Sequence, residues 1–151
     1  MKSFISVVII SMLAFSCKKL KVNNCTEPEL DCSHISCFIY NSYFQFNVVD
    51  KTTGIDLVFG NNPRYATADI KLYRDAAHVY AIPLAVDNIQ KHFTTSFAAA
   101  EMYLVVAGGT TYKLNVAFKG IDCCAGRVKS LQVNNELICT CCPDVISVSV
   151  E

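Results

Sequence analysis

The residues with the richest chemistry in this chain are its nine cysteines, and their spacing sorts them into three groups. Cys17 stands alone. Cys25, Cys32 and Cys37 follow it, and Cys123, Cys124, Cys139, Cys141 and Cys142 lie near the C-terminus, with none between 37 and 123. Nine thiols cannot all pair, so at least one has another fate. If that one is Cys17, three early and five late cysteines remain, both odd numbers. Full pairing within one molecule then requires at least one disulfide between the two ends. It would close a loop of about 100 residues, for which chain entropy alone gives roughly 4.7 kcal/mol. On a strand Cys139 and Cys141 would face one side and Cys142 the other, so these three serve more than one partner. Cys139-Thr140-Cys141-Cys142 is also formally C-x-x-C, and together with Cys123-Cys124 it could gather four thiolates around a soft ion such as zinc or copper(I). A redox C-x-x-C normally opens a helix whose N-terminus lowers the thiol pKa, and no helical pattern follows Pro143. The expectation is structural disulfides and no cofactor, with a thiol-based metal or redox site in the C-terminal cluster as the alternative.

The surroundings of Cys17 set it apart. One basic residue, Lys2, precedes an apolar run from Phe4 to Phe15, the layout of an export signal. As a helix the run would reach only about 18 Å, against roughly 30 Å of membrane hydrocarbon, so it is too short to span. Small residues at Ala14 and Ser16 suit a signal peptidase cleft. The sequence Leu13-Ala14-Phe15-Ser16-Cys17 resembles the lipobox of bacterial lipoproteins, with its Leu four rather than three residues before the Cys. This resemblance implies a signal peptide over 1–16 and lipidation of Cys17. The competing reading is ordinary secretion, with Cys17 as one more disulfide cysteine. Two or three acyl chains hold a protein on a bilayer almost permanently, and Lys18, Lys19 and Lys21 would add about 1 kcal/mol each against anionic headgroups.

Other chemistry is sparse. His34, His78 and His92 are scattered over three segments with no metalloprotease, hydrolase, phosphate-loop or dinucleotide motif around them. Each reads as a surface or loop residue, and the chain as a non-enzyme. After removal of 1–16, twelve basic side chains face thirteen acidic ones, which leaves no electrostatic footprint for nucleic acid. The absence of Trp removes the best platform for stacking a sugar.

The elements that must position the cysteines read as strands. Residues 17–34 are polar and aperiodic, a lipidated cysteine and tether, and a single domain is expected over 35–151. From Ile35 onward, short runs rich in Val, Ile, Tyr, Phe and Thr recur between turn residues. Tyr43 to Val49 and Ile55 to Phe59 flank a turn ending at Gly54. Asp69 to Tyr73 and Val79 to Val86 follow, with Pro83 demanding an edge or bulge. Tyr103 to Ala107 and Thr110 to Phe118 form a hairpin across Gly108-Gly109, and Val128 to Val133 pairs with Glu136 to Cys141 across Asn134-Asn135. Val145 to Val150 alternates strictly. Only Thr95 to Met102 suggests a helical connector, and Tyr103 after it suggests the tyrosine corner of an immunoglobulin-type sandwich, its hydroxyl bonded back to the preceding loop. The pattern predicts an all-β fold, an antiparallel two-sheet sandwich of immunoglobulin-like Greek-key type, with a β-barrel as the alternative.

The run Leu-Ala-Phe-Ser-Cys-Lys-Lys (13–19) and the segment Asp50 to Gly60 (DKTTGIDLVFG) resemble small uncharacterised outer-membrane-type lipoproteins of Bacteroidota. That resemblance covers about two thirds of the chain, rests on structural turns and transfers no active site. In that group, surface display goes with acidic residues soon after the lipidated Cys, and none occurs here before Glu27. It implies a cell-envelope protein on the outer membrane, facing the periplasm, whose partners are the membrane through its anchor and an unknown protein or small ligand.

Overall fold

In the computed structural model, which describes residues 30–107 and 109–150, the chain is all-β, and its strands join in one curled sheet that forms a half-barrel. The strands are β1 (Asn41–Asp50), β2 (Lys71–Tyr73), β3 (Ala81–Ile82), β4 (Ala85–Asp87), β5 (His92–Thr95), β6 (Glu101–Val106), β7 (Thr110–Asp122), β8 (Ala125–Val133), β9 (Glu136–Thr140) and β10 (Val145–Val150). Their order across the sheet is β3-β2-β6-β7-β8-β1-β5-β4, with β9 added beside β8 and β10 beside β1.

Local turn chemistry builds the hairpins. Gly109 (φ 86°) closes β6 onto β7, its N–H donating to the Val106 carbonyl at 3.1 Å. Asn134 and Asn135, at φ 50° and 68°, form the two-residue turn between β8 and β9, with the paired positive φ of a primed turn. Asp122-Cys123-Cys124-Ala125 joins the two longest adjacent strands, with Asp122 opposite Ala125.

β1 organises the rest. Its first residues, Asn41 to Tyr43, run parallel to Ala125 to Arg127 of β8. Farther along, Phe44 to Phe46 lie antiparallel to β5, and Gln45 to Asp50 lie parallel to β10. The sheet therefore contains two parallel pairings and is not purely antiparallel. Alternation turns Phe44, Phe46 and Val48 of β1 inward, with Met102, Leu104 and Val106 of β6 and Ile146, Val148 and Val150 of β10. On β8 the inward residues Val128 and Leu131 are three apart, because the pairing with β7 shifts register between Ala117 and Phe118, as a bulge does.

Several expectations need correction. β1 holds the expected run Tyr43 to Val49, and no strand lies between Ile35 and Tyr40. Ile55 to Phe59 makes one bridge, Val49 to Asp56, and no strand. The Asp56 carboxylate takes the N–H groups of Val58 and Phe59 at 2.8 and 2.7 Å and turns the chain away at once. Val79 to Val86 is split at Pro83-Leu84 into β3 and β4. Thr95 to Met102 contains no helix; it is the end of β5, a connector and the start of β6. Tyr103 is no tyrosine corner: its hydroxyl donates to the Glu101 carboxylate, two residues away on the same face of β6, at 2.5 Å.

Candidate functional site

The topology collects the cysteines at one end of the half-barrel. β7 runs into that end and β8 out of it, so their two-residue turn puts Cys123 and Cys124 there. β1 begins there, parallel to the start of β8. β9 runs antiparallel to β8 and ends beside Ser130, from where the loop 141–144 leads toward the same end. The Cys142 N–H donates to the Lys129 carbonyl at 3.1 Å, and Arg127 pairs with Asp144 at 2.5 Å. These two contacts hold the loop against β8.

Two disulfides lie at this end, and a third sits partway along β8, where Cys139 is paired with Leu131 and the Cys142 N–H meets the Lys129 carbonyl. Cys32 bridges Cys123 and Cys37 bridges Cys124, with Cα separations of 5.5 and 5.4 Å, and Cys139 bridges Cys142 at 5.3 Å. The early-to-late connection that parity demands is thus made twice. Cys141, at φ 55°, is disulfide-bonded as well. Cys17 and Cys25 lie outside the described residues. The thiols proposed as metal ligands are therefore consumed in S–S bonds, and among the described residues no group of three His, Cys, Asp or Glu side chains is placed to hold a metal ion.

The two crossing bridges fasten residues 30–40 as a strap on the β7–β8 hairpin. Two glycines receive it: Leu30 Cδ1 lies 3.2 Å from where a side chain on Gly120 would begin, and Tyr40 Oη 2.6 Å from the same point at Gly126. The Asn41 N–H donates to the Cys124 carbonyl at 2.9 Å and leads the strap into β1. Asp31 accepts the Ser33 hydroxyl at 2.7 Å and its N–H at 3.1 Å, bonds that hold its carboxyl below the usual range. These glycines were not singled out from the sequence, although a glycine inside a strand pattern is itself a signal of close backbone approach.

Beside this end lies a hollow of about 220 Å³ walled by Tyr43, Ile121, Arg127 and Pro143. Another, of about 700 Å³, is bounded by Arg74, Val79, Tyr80, Pro83 and Phe97, where the Arg74 guanidinium donates to the Phe97 carbonyl at 3.3 Å. A third, of about 350 Å³ and largely apolar, sits between the β2–β3 and β4–β5 ends of the sheet, lined by Ile70, Leu72, Ile82, Leu84 and Phe93 with Thr67, Lys71 and Tyr73. Its size is that of a small-ligand pocket.

The histidines do not converge. His34 is exposed on the strap. His78 packs its ring at a tilt against Tyr73 and has Nε2 3.2 Å from the Thr111 hydroxyl. His92, expected at the surface, is instead buried on β5 opposite Asp87. The most connected polar group is the ladder on β6 and β7, where Glu101 accepts from Lys113 at 2.7 Å and from Tyr103. The Lys113 bond and then the Tyr103 bond lower the Glu101 carboxyl, and the same carboxylate raises the Tyr103 phenol. It is an exposed ladder.

No family model, characterised protein or solved structure matches the chain. No helix among the described residues is long and apolar enough to cross a membrane.

Proposed function

We propose that this chain is a lipid-anchored, non-catalytic module of the cell envelope, exported by residues 1–16, acylated at Cys17 and stabilised by disulfides. The observation that carries the reading is that all seven described cysteines are disulfide-bonded. Disulfides persist in oxidising compartments outside the cytosol, where the apolar run Phe4 to Phe15 would deliver the chain. The absence of acidic residues between Cys17 and Glu27 favours the outer membrane with the domain facing the periplasm. The module binds a protein or small ligand, or serves structurally; the apolar hollow between β2–β3 and β4–β5 is its best small-ligand position. We read the half-barrel as a variant of the immunoglobulin-like sandwich, its two layers sharing β1, because β1 passes from β8 to β5 and β10 along its length.

The test is Cys17→Ala in the full chain. The wild type should sediment with membranes and have a mature mass that includes acyl chains. The variant should appear in the soluble fraction or accumulate unprocessed. Unchanged membrane association together with an unacylated mature mass would overturn the reading.

A further inference from the structure

Five large apolar side chains of the strap, Leu30, Ile35, Phe38, Ile39 and Tyr40, are exposed, and Phe38 is fully so at 100%. Scattered exposed apolar residues are ordinary, but a cluster of this density marks a surface that meets something. The strap cannot hide them by collapsing. Its backbone is fixed at Cys32 and Cys37, and Leu30 and Tyr40 already lie over Gly120 and Gly126. The acidic groups beside this patch are engaged locally, Asp31 with Ser33 and Asp122 with the Cys124 N–H at 2.7 Å.

The direction of the chain indicates what covers the patch. The strap is where the chain enters the domain, and Leu30 follows Cys17 by thirteen residues. Even fully extended, that stretch reaches only about 45 Å. Its first residues include Lys18, Lys19 and Lys21, which suit an anionic surface, while Glu27 and Glu29 follow nearer the domain. We propose that the strap is a membrane-docking surface: with Cys17 in the bilayer, Phe38, Ile39 and their neighbours enter the interfacial zone of the same leaflet and orient the domain with its cysteine-bridged end down. This rests on the acylation of Cys17 proposed above. A tether converts the second contact into an intramolecular event, so a patch too weak to bind a membrane unaided is sufficient once the anchor is in place. Apolar and aromatic side chains carried at the level of the headgroups are the composition such a contact uses.

The chain contains no tryptophan, so Phe38→Trp creates a single indole, excited selectively beside the seven tyrosines, at a site with no burial to lose. Ile89→Trp is the control. Residue 89 is exposed on the β4–β5 turn, and the antiparallel pairing of Phe93 with Phe46 carries that turn toward the end of β1 away from the strap. Each full-length variant is expressed, taken from the membrane fraction and reconstituted into phosphatidylethanolamine and phosphatidylglycerol vesicles with brominated acyl chains. For Phe38→Trp the expected result is a several-fold loss of indole emission relative to unbrominated vesicles, with a shift to shorter wavelength. For Ile89→Trp no change is expected. If the protein sediments with the vesicles but the Phe38→Trp emission behaves as that of Ile89→Trp, docking is overturned and the anchor stands. A chain that never enters the membrane fraction overturns both.

Discussion

Aspartates fix the turns of this protein through backbone N–H groups. Asp50 accepts from Thr53 at 2.8 Å and Thr52 at 3.0 Å, Asp75 from Val79 at 3.0 Å and Tyr80 at 2.7 Å, and Asp87 from Gln90 at 2.7 Å and Ile89 at 2.9 Å. In each the hydrogen bonds favour the ionised form and hold the carboxyl below its usual 3.8, the largest contributions coming from Thr53, Val79 and Gln90. A depressed native value means that the stabilisation is complete above the unfolded carboxylate value and is lost as pH falls through the native one. The thermal midpoint should therefore be nearly level from pH 7 to about 5 and fall below about 4. Asp50→Asn should flatten part of that acid limb, since its amide oxygen accepts without titrating. An acid limb parallel to that of the wild type would count against this assignment. Gly126 makes a different demand, because a Cβ there would sit 2.6 Å from Tyr40 Oη and 3.0 Å from the Lys119 carbonyl. Gly126→Ala should cost about 1–3 kcal/mol as overpacking. In denaturant melts, adding Tyr40→Ala should recover part of it; simple additivity of the two losses would show that they do not touch.

At the scale of elements, the strap and the β7–β8 hairpin are joined by two disulfides next to each other in both segments. Either one alone closes the loop of about ninety residues, so removing Cys32–Cys123 as the double Ser variant leaves the chain closed by Cys37–Cys124. The expected cost is below about 3 kcal/mol, the value for a short loop, and not the roughly 4.7 kcal/mol of an isolated loop of about 100 residues. Urea denaturation of the double Ser variant measures it, and a loss of the larger size would mean that the bridges act independently. The sequence foretold some of these elements because their signals are local. Asn134-Asn135, the glycines before Thr110 and the alternation of Val145 to Val150 each act within a few residues. It did not foretell the parallel placement of β1 between β8 and β10, because parallel neighbours leave no turn between them to read. The alanines 98–100 suggested a helix, and pairing overrode that weak preference, with Ser42 bridging Phe97 and the Val116 N–H donating to the Ala100 carbonyl at 2.7 Å. Parity required a bridge between the chain's ends but could not say which cysteines meet, since that depends on the β7–β8 turn lifting Cys123 and Cys124 toward the strap.

Across the whole molecule the two ends differ in kind. The end carrying the strap, the Cys123-Cys124 turn and the loop 141–144 is covalently tied. The opposite end is closed by short turns at 50–54 and 134–135, by Gly109 between β6 and β7 and by the ion pair of Lys51 with Glu136 at 3.1 Å. That division predicts the complete cysteine chemistry of the mature protein. Cys141 is disulfide-bonded, while the six other described cysteines are occupied by Cys32–Cys123, Cys37–Cys124 and Cys139–Cys142. If Cys17 carries lipid, Cys25 is the sole cysteine left to meet Cys141, and that bridge would be a third tie from the N-terminal segment to the same end. Denatured mature protein should then take up no alkylating reagent before reduction and eight equivalents after it, and digestion without reductant should release a peptide pair joining Cys25 to Cys141. Nine equivalents would show that Cys17 is not acylated. Reagent uptake before reduction at Cys25 or Cys141 would instead break the fourth bridge while leaving the anchor and the Cys139–Cys142 bridge untouched.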